Sequence, residues 1–111
     1  MADYSIKAHD QYPSIQAVLS TAGKPVDLTA AVSVKFVMRA ANGGDVKVNS
    51  PAVIVAPATS GTVRYDWVAA DTATPGQYQA EWQVTWPGPK TQTFPTLTYH
   101  SVDVLADLDG A

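Results

Sequence analysis

Residues 61–86, GTVRYDWVAADTATPGQYQAEWQVTW, constrain the fold of this chain more than any other segment. Val63, Tyr65 and Trp67 alternate with Thr62, Arg64 and Asp66. After a turn region, Tyr78, Ala80, Trp82, Val84 and Trp86 alternate with Gln79, Glu81, Gln83 and Thr85. Successive side chains of a strand point to opposite faces, so each run presents one apolar face and one polar face. Two neighbouring runs of this kind predict antiparallel strands covering a single core. The pattern sets architecture and carries no chemistry.

The same alternation returns along the chain at intervals of roughly ten residues, punctuated by Gly, Pro, Asn and Asp, the spacing of a sandwich or barrel. Strands are predicted over residues 4–8, 14–21 and 32–39. The second puts Ile15, Ala17 and Leu19 on one face, and the third turns Val32, Val34, Phe36 and Met38 inward. Shorter strands are predicted at 46–48 and 52–55, separated by Asn49-Ser50-Pro51. A last one covers 91–105, with a break at Pro95. Ala22-Gly23-Lys24-Pro25, Asn42-Gly43-Gly44-Asp45, residues 56–60 and Pro87-Gly88-Pro89 supply the reversals. About seven to eight such strands predict an all-β fold, an immunoglobulin-like two-sheet antiparallel sandwich without a disulfide. It forms one domain over residues 1–106, followed by a short acidic tail at 107–111.

Residues 71–80, DTATPGQYQA, have the shape of the corner that leads into a central strand of such sandwiches. There a tyrosine hydroxyl bonds back to the upstream backbone, and a cysteine two residues later bridges the sheets. Tyr78 stands at the tyrosine position and Ala80 at the cysteine position. Packing around Phe36, Trp67 and Trp82 must therefore replace the bridge.

Cysteine is absent, which excludes disulfides, thiolate metal sites and thiol nucleophiles and leaves the compartment open. The first residues lack a basic region followed by an apolar run, so no secretory signal is predicted. No apolar run approaches the ~18 residues of a membrane span. The chain is expected to be made in the cytoplasm. Its net charge is −3, and its seven basic residues lie scattered at 7, 24, 35, 39, 47, 64 and 90, which gives no footprint for nucleic acid. Charged residues are 15% of the chain, against about 25% in typical domains. A surface so poor in charge suits packing against other protein, and is equally common in all-β domains.

No catalytic, cofactor-binding or metal-binding residues are assigned, and the chain is expected not to be an enzyme. His9 and His100 read as polar residues on the first and last strands, without the spacing of a zinc site. Arg64, Asp66 and Glu81 read as a solvated strand face. An Asp66–Glu81 pair for acid–base chemistry would require the sheets to curl. Asp107-Leu108-Asp109-Gly110 opens like a calcium loop but lacks the ligands that would follow. Trp67, Tyr78, Trp82 and Trp86 share the inward phase. Tyr4, Tyr12, Trp86 and Tyr99 are the interface candidates, because aromatics at a rim anchor protein contacts or stack on sugars.

Four segments together resemble a family of small phage proteins related to the N-terminal domain of baseplate upper proteins. They are GKPVDLT at 23–29, VKFVMR at 34–39, GTVRYDW at 61–67 and TPGQYQAEW at 74–82. The likeness spans roughly residues 14–104. It implies an immunoglobulin-like virion module that anchors to the particle and carries no catalytic residues. The chain stops at Ala111, without the receptor-binding extension of baseplate proteins, so the resemblance implies a stand-alone structural piece of tail, baseplate, neck or capsid surface. Its partners would be other virion proteins, met in multiple symmetric copies, with the residues 4–8 and 98–105 offering strand edges. The alternative is a carbohydrate- or host-surface-binding module using Tyr12, Trp86 and Tyr99, for which no glycan motif is present.

Overall fold

The computed structural model of the chain describes residues 4–44, 46–94 and 100–106. In chain order the strands are β1 (Tyr4–Lys7), β2 (Ile15–Val18), β3 (Ser20–Thr21), β4 (Lys24–Pro25), β5 (Ser33–Ala40), β6 (Val46–Pro51), β7 (Val53–Ile54), β8 (Thr62–Tyr65), β9 (Gly76–Trp86), β10 (Lys90–Phe94) and β11 (His100–Leu105). Short 3₁₀ turns occupy Ala58–Ser60 and Ala69–Thr72. The fold is all-β. A six-stranded sheet has the order β1-β11-β9-β5-β6, with β10 also on β9. A three-stranded sheet has the order β2-β8-β7, and β3 with β4 forms a separate hairpin.

β9 is the backbone of the larger sheet. One edge pairs with β5 along its length. The other takes β10 beside Trp82–Trp86 and β11 beside Gly76–Ala80. The last strand expected over 91–105, with its break at Pro95, pairs as two segments on one edge, and Pro95 itself lies outside the described residues. The expected strand at 14–21 also divides, into β2 and β3, around the buried Leu19. Asn49-Ser50-Pro51 belongs to β6 and does not separate strands. Pro51 closes that outermost strand opposite Lys35, a place where a missing amide donor is tolerated.

Among the described residues the expected antiparallel pattern fails once. β1 pairs with β11 in parallel, Tyr4 beside Val102 through Lys7 beside Leu105. A four-residue strand carries too little pattern to declare its direction, and its partner lies almost a full chain length away.

Side-chain phase follows the alternation closely. Val34, Phe36 and Met38 of β5, Val63 and Tyr65 of β8, Trp67, and Tyr78, Ala80, Trp82 and Val84 of β9 are all buried. Val32 departs from it. Its amide donates to the Thr85 carbonyl and extends the ladder, yet its side chain is 66% exposed. The residue lies just before β5, which begins at Ser33.

An aromatic cluster joins the two sheets. Phe36 stacks on Tyr65 at 4.8 Å and 15°, meets Trp67 edge-on at 5.5 Å and lies against Trp82 at 4.9 Å. Tyr65 and Trp67 pack edge-to-face at 5.6 Å. Such pairs add about 0.5–1.5 kcal/mol each beyond the burial of their area. Ala80, 1% exposed, is buried in the same core cluster. The Tyr78 hydroxyl donates to the Thr74 carbonyl at 2.6 Å, as the corner motif predicts, and pins the turn that feeds β9.

Candidate interaction surfaces

Residues 8–14 leave β1 and cross to the smaller sheet, and they are held at several points. The Ala8 amide donates to the Leu105 carbonyl at 2.7 Å and the His9 amide to the Thr72 carbonyl at 3.0 Å. The hydroxyl of the fully buried Thr72 donates to the Asp10 carbonyl at 3.0 Å. At the far end, the Ser14 hydroxyl donates to Asp66 Oδ1 at 2.6 Å. From this anchored loop Tyr12 projects with 82% of its surface exposed. An aromatic ring left in water gives up the gain of burial, so its exposure on a fixed loop invites a role.

Tyr12 borders an open depression of about 440 Å³ together with Gln11, Ser14, Arg64, Asp66 and Trp67. Arg64 and Asp66 lie two residues apart, on the outward face of β8 and its continuation. Arg64 Nε donates to Asp66 Oδ1 at 3.0 Å, while Nη2 reaches Oδ2 only at 3.4 Å. The Ser14 hydroxyl first, and then Arg64, hold the Asp66 carboxyl below its ordinary value despite its exposure. A second shallow depression, about 340 Å³, lies on the outer face of the larger sheet between Val37, Arg39, Val46, Gln79 and Glu81.

This geometry separates Asp66 from Glu81. They occupy the outer faces of opposite sheets, with the core between them, so no acid–base pair forms. His9 is not on a strand. It occupies a turn beyond β1 with φ of 68°, while His100 lies on β11 with its ring edge-on to Tyr4 at 5.4 Å. Because β1 and β11 run parallel, the two histidines sit at opposite ends of that pair. Among the described residues no group of three or more His, Asp or Glu side chains could hold a metal ion.

The other interface candidates divide. Tyr4 is engaged within the chain, since its hydroxyl donates to the Gln16 carbonyl at 3.2 Å and ties the edge of one sheet to the other. Trp86 is half-buried against the core, and its Nε1 donates to Gln92 Oε1 at 3.1 Å. Tyr99 lies outside the described residues. The final strand is not an edge: β11 has β1 on one side and β9 on the other, which occupies its backbone groups. Among the described residues the outermost strands of the larger sheet are β1, β6 and β10, the last pairing only with β9. Pro13, Ser14 and Ile15 abut β1 across a cavity of only about 50 Å³, which leaves β6 and β10 as the better exposed edges.

Sequence reasoning missed the convergence of residues 11–14 on Arg64 and Asp66. The only signal was the outward phase of the latter pair. No protein-family model and no curated protein sequence matches the chain.

Proposed function

We propose that this chain is a non-enzymatic structural protein of a bacteriophage particle, an immunoglobulin-like module that docks on other virion proteins in multiple symmetric copies. The observation that carries the reading is where the four phage-like segments go. Leu28, Phe36, Met38, Val63, Tyr65, Trp67, Tyr78, Ala80 and Trp82, drawn from all four, are buried in one core cluster. Segments scattered along the chain therefore build one rigid body, as they would if the resemblance is that of a shared scaffold. The immunoglobulin-like assignment is supported by the strand order, with β11, β9 and β5 adjacent in one sheet and β2, β8 and β7 in the other. The Tyr78 corner supports it further.

Docking would use surfaces that this core holds in place. An outermost strand presents unpaired amides and carbonyls that a neighbouring chain can complete, and β6, with six residues, is the longest such strand of the larger sheet. Mass spectrometry of purified particles tests the reading. Peptides of the chain should appear at a stoichiometry set by the particle's symmetry, and their absence from particles overturns it. Genes for tail-tip, neck or capsid proteins beside its own would then indicate the location.

A further inference from the structure

We propose that Tyr12, Gln11 and the Arg64–Asp66 pair form a binding site for a neutral pyranose ring. This inference goes beyond the architectural role and is independent of it. Its first support is the presentation of Tyr12. The loop that carries it is fixed to Leu105, Thr72 and Asp66 by four hydrogen bonds, so the ring is displayed in place and little ordering remains for a ligand to impose. The Tyr12 hydroxyl bonds to no other described residue.

The second support is the chemistry around that ring. A pyranose has an apolar C–H face that can lie on an aromatic ring, and a rim of hydroxyls that both donate and accept. The depression supplies the counterpart to each. Asp66 Oδ2 has only the 3.4 Å contact from Arg64 and can accept from a hydroxyl. The guanidinium of Arg64 keeps donors beyond those spent on Asp66, and the Gln11 amide, without a hydrogen bond among the described residues, offers one group of each kind. Donor and acceptor thus stand side by side, as adjacent hydroxyls require.

The third support is charge. Arg64 and Asp66 are paired at 3.0 Å and cancel, so the depression attracts neither an anion nor a cation. An acidic sugar would meet the Asp66 carboxylate, which its partners keep ionised, and a cationic one would meet Arg64. The volume, about 440 Å³, lies within the range of small-ligand sites, about 300–1,000 Å³. Trp67, 4% exposed, gives the depression a rigid floor.

The experiment is an amide NMR titration of the whole chain with a panel of neutral gluco-, galacto-, manno-, rhamno- and N-acetylhexosamine oligosaccharides, alongside uronate- and sialate-containing ones. At least one neutral oligosaccharide should shift amides confined to residues 10–14 and 64–68. Tyr12→Ala should weaken that binding about tenfold, the loss of a stacked ring. Asp66→Asn should weaken it too, while Trp86→Phe, at a different rim, should leave it unchanged. Thermal unfolding of each variant keeps a folding defect apart from a binding one. No shift with any neutral oligosaccharide at about 10 mM, binding confined to the acidic set, or affinity retained by Tyr12→Ala overturns the proposal. Failure here leaves particle mass spectrometry free to succeed, so the two readings fall separately.

Discussion

The hydroxyl of Tyr65 donates to the carboxylate of Asp71 at 2.5 Å, and both residues are buried. Oδ2 of Asp71 also accepts from the Val68 amide at 3.0 Å. The bond closes the loop that follows β8 and fixes Tyr65 where its ring stacks on Phe36. One short polar contact therefore joins the turn before β9 to the aromatic cluster between the sheets.

Tyr65→Phe keeps the ring and the stack but leaves Asp71 with one donor fewer. A hydrogen bond to a buried charge contributes about 1.5–3 kcal/mol, so urea unfolding should report a loss of about 2 kcal/mol. In the Tyr65→Phe background, Asp71→Asn should cost much less than it does alone. Additive losses in that double-mutant cycle would show that the two side chains are not coupled.

Burial, and then the bond to Asp71, push the Tyr65 hydroxyl well above its ordinary value, and burial pushes Tyr78 upward as well. A tyrosine that holds its proton longer when folded contributes stability that is complete below the unfolded value near ~10. That contribution is lost as pH rises toward the folded value, because the unfolded chain then gives up protons that the folded chain keeps. Urea midpoints should therefore be insensitive to these groups up to about pH 9 and fall above about pH 10. Tyr65→Phe should flatten the decline, and an equal slope in that variant would rule Tyr65 out as its source.

What could be read from residue order, and what could not, follows from the range of each interaction. The buried phase of Val63, Tyr65, Trp67, Tyr78, Ala80 and Trp82 was legible because alternation is local. The Tyr78–Thr74 bond was legible for the same reason, spanning four residues. The parallel pairing of β1 with β11 was not, nor was the Ser14–Asp66 bond, which joins residues 52 apart. Asp71 was legible as the opening residue of the Tyr78 corner, but its bond to Tyr65 was not. Val32 departed from the expected inward phase: it precedes β5, where the strand alternation begins, and is exposed.

The hairpin between β3 and β4 turns on two residues with positive φ, Ala22 at 52° and Gly23 at 79°. Two-residue hairpins of this type favour Asn followed by Gly, since alanine in the left-handed region is strained by its Cβ. Ala22→Asn should raise stability by about 1 kcal/mol, read as a higher denaturation midpoint with an unchanged slope. A drop in the midpoint would mean that Ala22 makes a contact worth more than the strain.

Gly61 and Gly23 both have positive φ, but their surroundings differ. A Cβ on Gly61 would lie 2.8 Å from the Leu19 carbonyl oxygen and 2.9 Å from that of Val26, whereas one on Gly23 would meet nothing within 4 Å. The Gly61 carbonyl also accepts from the Leu19 amide at 2.8 Å, so the backbone there cannot shift without loosening β2. Gly23→Ala should cost only the left-handed strain, about 1–2 kcal/mol. Gly61→Ala adds a clash with fixed backbone and should cost roughly 3 kcal/mol or more. Equal losses from the two would show that the backbone around Gly61 yields.

If β6 is the docking edge, a charge placed on it should block assembly without unfolding the chain. Val46 is suited to this test, since it lies on that outermost strand opposite Arg39 and is 55% exposed. Val46→Lys removes little buried apolar area and should change stability by no more than about 0.5 kcal/mol. Charged side chains on an edge are a common means of preventing strand addition, because a neighbouring strand would have to desolvate them. Particles assembled with the variant as the sole copy should carry markedly less of the chain by quantitative mass spectrometry, while Val18→Lys, an exposed position on β2 in the other sheet, should be incorporated normally. Normal incorporation of Val46→Lys would move the docking surface off β6 and onto another face of the same rigid core.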